Sequence, residues 1–264
     1  MLVKEIVDEK HPFIYEYELA TKARAIMRNF SLRILPVTDK DKKLLGVVSR
    51  GTIMIISSSI SPIKVRGIMD IPKKTAVIDD DAFQTVKEMI GLDEWYIPVV
   101  NSTFENLLRG VFSLEKFVEE KIKTSPEKLA KEVSEIMSTN VIACSPEDEV
   151  DKVWRLMQTK SFAGLPVTSK GKLVGIVTQK DLLESGTLMP KFESAKGRFR
   201  RPAKIFSIMQ TQVLAVRPSV KAIKVAKLMV SKDIGRVPVI NDEGELVGIL
   251  DREDIAKLIV KGER

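Results

Sequence analysis

Four apolar-proline-apolar strings recur along the chain at near-regular spacing: Leu35-Pro36-Val37, Ile97-Pro98-Val99, Leu165-Pro166-Val167 and Val237-Pro238-Val239. Each is followed, after a polar turn, by a glycine opening a second apolar run: Gly46-Val47-Val48, Gly110-Val111-Phe112, Gly175-Ile176-Val177 and Gly248-Ile249-Leu250. The intervening turns contain Lys40-Asp41-Lys42, Ser102-Thr103, Lys170-Gly171 and Asp242-Glu243-Gly244. Apolar run, polar turn, apolar run is a β-hairpin pattern. Fourfold recurrence marks a chain assembled from one repeated unit.

A helical pattern precedes each hairpin. Val150, Val153, Trp154 and Met157 fall at i, i+3, i+4 and i+7, one face of a helix. Ala222, Val225, Ala226 and Met229 repeat that spacing in the fourth copy, as Phe83, Val86 and Ile90 do in the second and Ala20, Ala23 and Met27 in the first. Ser145 reads as an N-cap with Pro146 at the first helical position and Asp148 in the place of a capping-box acid. The run Asp79-Asp80-Asp81 opens the second helix. A further helix follows each hairpin, and a short strand such as Val213-Leu214-Ala215-Val216 precedes each first helix.

The unit is therefore β-α-β-β-α, in an α/β (α+β) chain. Alone it is near the lower size limit for a stable core. The expected arrangement is two pseudo-symmetric pairs packed sheet to sheet. Copies one to four are placed at 1–62, 63–124, 130–188 and 205–264, with a basic insertion at 189–204. Hydrophobic residues form 44% of the 264, enough for a packed core. No apolar run approaches the length of a membrane span and no signal peptide opens the chain, so a cytoplasmic protein without membrane contact is expected. Cys144, the single cysteine, reads as a small core residue, and His11, the single histidine, as a surface or core residue. Neither a metal set nor a catalytic group is expected. The net charge of +7 permits anionic partners without selecting among them, and 30% charged residues lean toward a thermophilic source.

Taken together, these strings resemble the CBS repeat, most closely in copies three and four. Four copies with little else resemble the γ subunits of AMP-activated protein kinase and their stand-alone archaeal relatives. The resemblance implies paired repeats with clefts for adenosine-containing ligands: AMP, ADP, ATP or S-adenosylmethionine. It implies a carboxylate at the start of each last helix that accepts hydrogen bonds from both ribose hydroxyls, contacts that contribute about 1.5–3 kcal/mol when the acceptor is charged. A Ser or Thr three residues earlier would meet phosphate.

Only copies three and four keep the carboxylate, in Thr178-Gln179-Lys180-Asp181 and Asp251-Arg252-Glu253-Asp254. Copies one and two read Ser49-Arg50-Gly51-Thr52 and Ser113-Leu114-Glu115-Lys116. The C-terminal pair is thus expected to bind, and the N-terminal pair to be structural or partner-facing. By the resemblance, Asp181 and Asp254 hold ribose, while Thr178 and Arg236 meet phosphate. Asp251 counts against phosphate unless a cation such as Arg252 offsets it. Leu165, Pro166, Val237, Pro238, Val141, Val213, Lys180 and Arg252 complete the expected lining.

The insertion from Lys191 to Lys204 carries six cations, one acid and two phenylalanines. It reads as a solvated linker, a flap over nucleotide phosphates, or a nucleic-acid contact through Arg198, Arg200 and Arg201. A regulatory sensor acting on a protein partner, with a homodimer plausible, is the leading expectation. The competing classes are a nucleic-acid binder and an enzyme. Inosine monophosphate dehydrogenase contains such repeats, but this chain has no Walker-type or dinucleotide-binding glycine loop.

Overall fold

The computed structural model describes residues 1–54, 62–185 and 202–261. Copy one runs β1 (Ile14–Tyr15), α1 (Ala20–Asn29), β2 (Ile34–Thr38), β3 (Leu44–Ser49) and α2 (Arg50–Met54). Copy two runs β4 (Ala76–Val77), α3 (Ala82–Gly91), β5 (Tyr96–Val100), β6 (Leu108–Ser113) and α4 (Leu114–Thr124). Copy three has α5 (Val150–Thr159), β7 (Gly164–Ser169), β8 (Lys172–Thr178) and α6 (Gln179–Ser185). Copy four has α7 (Ala222–Ser231), β9 (Arg236–Ile240), β10 (Leu246–Asp251) and α8 (Arg252–Lys261).

The hairpins β2-β3, β5-β6, β7-β8 and β9-β10 are all antiparallel. β1 and β4 add a parallel third strand. In copies three and four the expected leading strand shrinks to single parallel bridges, Cys144 to Val167 and Val216 to Val239. The capping expectation for Ser145 also needs correction. α5 starts at Val150, and Ser145 to Asp148 form a turn ahead of it, in which Asp148 accepts from Ser145 N at 2.7 Å. Asp81 does cap α3, accepting from Gln84 N.

Within each pair, the copies exchange their opening segments. Val3 N donates to Asp80 O of copy two at 2.9 Å, while Val65 N donates to Glu18 O of copy one at 2.8 Å. In the other pair, Val133 N reaches Val220 O and Ile205 N reaches Asp148 O. The four exchanged segments then cross the partner's second hairpin strand through backbone bridges, Asp8 to Val111, Asp70 to Val47, Ser138 to Ile249 and Gln210 to Ile176. The recurring glycine of each hairpin makes room. A Cβ on Gly46 would lie 2.8 Å from Asp70 O, and one on Gly175 2.9 Å from Met209 Sδ.

Backbone bridges join copies one with two and three with four, as expected. The apolar cores run the other way. One buried cluster combines copies one and three, including Met27, Leu35, Met157 and Leu165. The other combines copies two and four, including Met89, Phe117, Met229 and Ile255. Helices carry this packing, with α4 against α7 and α8, and α2 against α6. Neither pair could bury its helices alone, which ties the four copies into one body. Cys144 is buried in the first cluster, and burial pushes its thiol up to about 12, which leaves it inert. Among the described residues no helix is long and apolar enough to cross a membrane.

Candidate functional site

A cavity of about 550 Å³ opens where the four copies meet. Each pair contributes a cleft to its wall. One belongs to the C-terminal pair and is walled by Thr178 and Asp181 from copy three and by Gln210, Val213, Arg236 and Pro238 from copy four. The other belongs to the N-terminal pair and is walled by Ser113 and Lys116 from copy two and by Asp8, His11 and Arg33 from copy one.

Asp181 sits at the first turn of α6, buried to 9% exposure. Its Oδ2 accepts from Thr178 N and Thr178 Oγ1, both at 2.7 Å, and Asp181 N returns a bond to Thr178 Oγ1 at 3.3 Å. This is a capping box. Gln210 Nε2 donates to Asp181 Oδ1 at 3.0 Å, so the opposite wall holds the other oxygen. The carboxylate is thereby fixed in orientation, and its remaining lone pairs face the cleft residues. Swinging Gln210 aside would free Oδ1 for a ligand hydroxyl.

Arginines dominate the centre. Arg236 donates to Gly164 O at 2.9 Å and lies over the Trp95 ring at 5.5 Å. Arg33 lies over the same ring at 5.5 Å and over Tyr96 at 5.6 Å, so Trp95 contacts two guanidiniums. Arg50 donates to the carbonyls of Leu32, at 2.7 Å, and Ser31. Burial, with the Arg33 charge adding to it, lowers both Arg50 and Arg236 to about 10. The Arg33 charge opposes both, while Asp233 and Glu184 offset Arg50 in part and Asp251 offsets Arg236 in part.

Of the thirteen expected ligand residues, Thr178, Lys180, Asp181, Val213, Arg236 and Pro238 line the cavity. The others do not. Leu165 and Val237 alternate inward on their strands and are buried in the two cores, so their side chains are unavailable to a ligand. Pro166 and Val141 are also absent from the wall. Arg252 stands behind its wall: only 1% exposed, it pairs with Glu115 at 2.8 Å and Asp233 at 3.3 Å, both of which line the cavity. It cannot offset Asp251 at a ligand. Asp251 and Asp254 bond each other's backbone N–H groups, at 3.0 and 3.1 Å, in a second capping arrangement.

Burial and then the Asp251 charge raise Asp254 from its ordinary 3.8 to about 7. Burial also raises Asp251, against the pull of Arg236. A carboxyl with a raised folded value stabilises the fold fully only below its unfolded value, and that stabilisation is lost as pH climbs through about 7. Asp254→Asn should therefore raise the melting temperature at pH 8, by the equivalent of about 2 kcal/mol. The gain should shrink on acidification and vanish near pH 4. An equal gain at every pH would show that Asp254 carries no such penalty.

The described residues stop short of most of the basic insertion. Lys191 to Arg201, with Arg198, Arg200 and Arg201, lie outside them, and only Pro202 to Lys204 are placed.

A family model described as CBS domain matches residues 3–58, 133–186 and 205–261, more than half of the chain. The chain belongs to the CBS-domain family. The second copy falls outside the matched segments, yet its β4-α3-β5-β6-α4 order makes it a CBS unit in structure. Protein MJ1225 of Methanocaldococcus jannaschii, described as a candidate archaeal homolog of g-AMPK, shares the fold with a TM-score of 0.87 and 23% identity, covering 98% of this chain and 100% of that one. A conserved protein of Pyrococcus horikoshii has a TM-score of 0.67 at 22% identity, with 98% and 100% covered. The inosine-5'-monophosphate dehydrogenase of Korarchaeum cryptofilum is 31% identical over 55% of this chain, and the match spans only 28% of that enzyme.

Sequence reasoning missed several cavity residues. Arg33 stands one residue further ahead of Leu35-Pro36-Val37 than Arg236 does of Val237-Pro238-Val239, and Ile34 takes the place of Arg236 in copy one. The rule that picked out Arg236 therefore did not reach Arg33. His11, expected to be an ordinary surface or core residue, lines the cavity with Nε2 3.1 Å from Ile34 O. Lys116 was read only as the residue that replaces the carboxylate, and Asp8 and Gln210 had no signal until the exchange of opening segments was known.

Proposed function

We propose that this CBS protein is a non-catalytic regulator that binds an adenosine-containing ligand, AMP, ADP, ATP or S-adenosylmethionine, in the cavity-facing cleft of its C-terminal pair. The observation that carries this reading is the Thr178–Asp181 box opposite Arg236 in one cavity. Asp181 would hold the ribose hydroxyls. Thr178 and Arg236 would meet phosphate. Val213 and Pro238 would flank the base. Because the cavity wall draws on all four copies, a ligand there changes the contacts between the pairs. A protein partner with different affinity for the two states would read that change.

Thermal melting tests this. A ligand at about 100 times its dissociation constant adds about 2.7 kcal/mol to the native state, a rise of at least several degrees. The rise should occur with an adenine ligand, be absent with guanine nucleotides, and be lost in Asp181→Asn, which keeps a capping acceptor. No rise with any adenosine compound would overturn the proposal.

A further inference from the structure

Trp95 belongs to the N-terminal pair, in copy two just ahead of β5, yet its indole is held by the C-terminal pair. Its backbone carbonyl accepts from Leu114 N at 3.0 Å, which fixes the chain at the start of α4. Its Nε1 donates to Glu253 Oε2 on α8 at 3.2 Å, and Glu253 is itself paired with Lys257 at 2.6 Å. Arg236 of copy four lies over the ring at 5.5 Å, as does Arg33 of copy one. Both are within the range at which a guanidinium is attracted to an aromatic ring. Gly235 leaves room for this approach. A Cβ there would lie 2.8 Å from Arg33 Nη2 and 3.0 Å from Trp95 Cζ3. Arg33, Gly235 and Arg236 line the central cavity, and Trp95 does not. The ring therefore stands behind the arginines, where it can act on a ligand only through them.

We propose that Trp95 is the positioning residue for Arg236: reaching across from the N-terminal pair, its ring holds the guanidinium in place to meet a phosphate in the C-terminal cleft. This rests on the reading given above for the Asp181 cleft. An arginine side chain has many rotamers, and freezing them on binding weakens affinity. Here they are restricted in advance. Nη1 is tied to Gly164 O of copy three at 2.9 Å, and the ring of copy two lies against the guanidinium plane's carbon. A ring suits this task better than a carboxylate. A carboxylate would take the in-plane N–H donors that a phosphate needs, whereas the π-system attracts the charge and leaves the donor fork free. Arg33 rests on the same ring, so any shift of Trp95 is shared between copy one and copy four. The N-terminal pair thereby contributes to the affinity of the C-terminal cleft without touching its ligand.

Calorimetric titration of the full chain with AMP, and separately with ATP, tests this. Trp95→Leu should weaken binding of the probe that the parent takes by about tenfold, and Trp95→Phe, which keeps a ring, should recover most of the loss. In an Arg236→Ala background, Trp95→Leu should cost almost nothing more, because the two residues act as one unit. Unliganded melting curves verify that each variant folds. The chain has two tryptophans, so in Trp154→Phe the emission comes from Trp95 alone. That emission should change on saturation, since a phosphate drawn to Arg236 alters the field at the ring. This arm needs no substitution at Trp95. Parental affinity in Trp95→Leu, an equal loss with and without Arg236, or unchanged emission at saturation overturns the positioning role. Each of these leaves the Asp181 reading standing so long as Asp181→Asn abolishes binding. Binding of neither probe by the parent overturns both.

Discussion

Arg252→Ala should lower the stability of the whole chain by about 3 kcal/mol and leave ligand affinity unchanged. The guanidinium is buried at the junction of copies two and four. Nη1 bonds Glu115 Oε2 at 2.8 Å and Tyr96 Oη at 3.1 Å. Nη2 bonds Asp233 Oδ1 at 3.3 Å and Met229 O, near the end of α7, at 3.4 Å. Breaking a buried pair by removing one partner costs about 3–5 kcal/mol, because the other charge is left uncompensated. Asp233 is 69% exposed and can rehydrate, which favours the lower end. For a chain of this size each kcal/mol moves the melting temperature by about 2–4 °C, so calorimetry should register a fall of roughly 6–12 °C. In a double-mutant cycle Arg252 and Glu115 should couple by at least about 0.5 kcal/mol. A variant that melts like the parent but binds ligand more weakly would return Arg252 to the ligand, where its place in the motif first put it.

Arg252 illustrates what the sequence could and could not convey. Hairpins, helices and the number of copies were legible because they depend on local periodicity and turn chemistry. The Thr178–Asp181 box was legible for the same reason, since both residues lie within one turn. The pairing partners of the cores were not. Ala20, Ala23 and Met27 announce an apolar face, but nothing in their spacing says that the face meets copy three rather than copy two. The direction of Arg252 depends on that choice, because its acceptors Glu115 and Tyr96 lie in copy two and meet it only when α4 packs on α8. The reassignment of Leu165 and Val237 follows from strand alternation. The motif string names both, while the pleat sends them away from the cleft. Asp8 was invisible for a third reason: its neighbour across the cleft is set by segment exchange, which leaves no periodic trace.

Gly110 gives the exchange a measurable cost. Its φ is +152°, and a Cβ there would overlap the Asp8 carbonyl oxygen and lie 2.9 Å from Asp8 C and 3.0 Å from Glu9 Cα. In Gly110→Ala two penalties add. Overpacking against rigid backbone costs about 1–3 kcal/mol, and an L-residue at such a φ costs about 1–3 kcal/mol. The crossing segment is held by Asp8 N to Val111 O at 2.9 Å and by Val111 N to Asp8 O at 3.2 Å, and both bonds must lengthen to admit the methyl group. Gly171→Ala separates the two penalties. Its φ is +79°, but a Cβ would meet nothing within 4 Å, so only the backbone term of about 1 kcal/mol applies. Gly110→Ala should therefore destabilise by about 4 kcal/mol against about 1 for Gly171→Ala, a difference of at least several degrees in melting temperature. It should also displace Asp8, which lines the central cavity, while leaving the Thr178–Asp181 box in place. Equal costs for the two variants would mean that the segment gives way freely, and that the close approach of Asp8 to the β6 backbone does not hold the pair together.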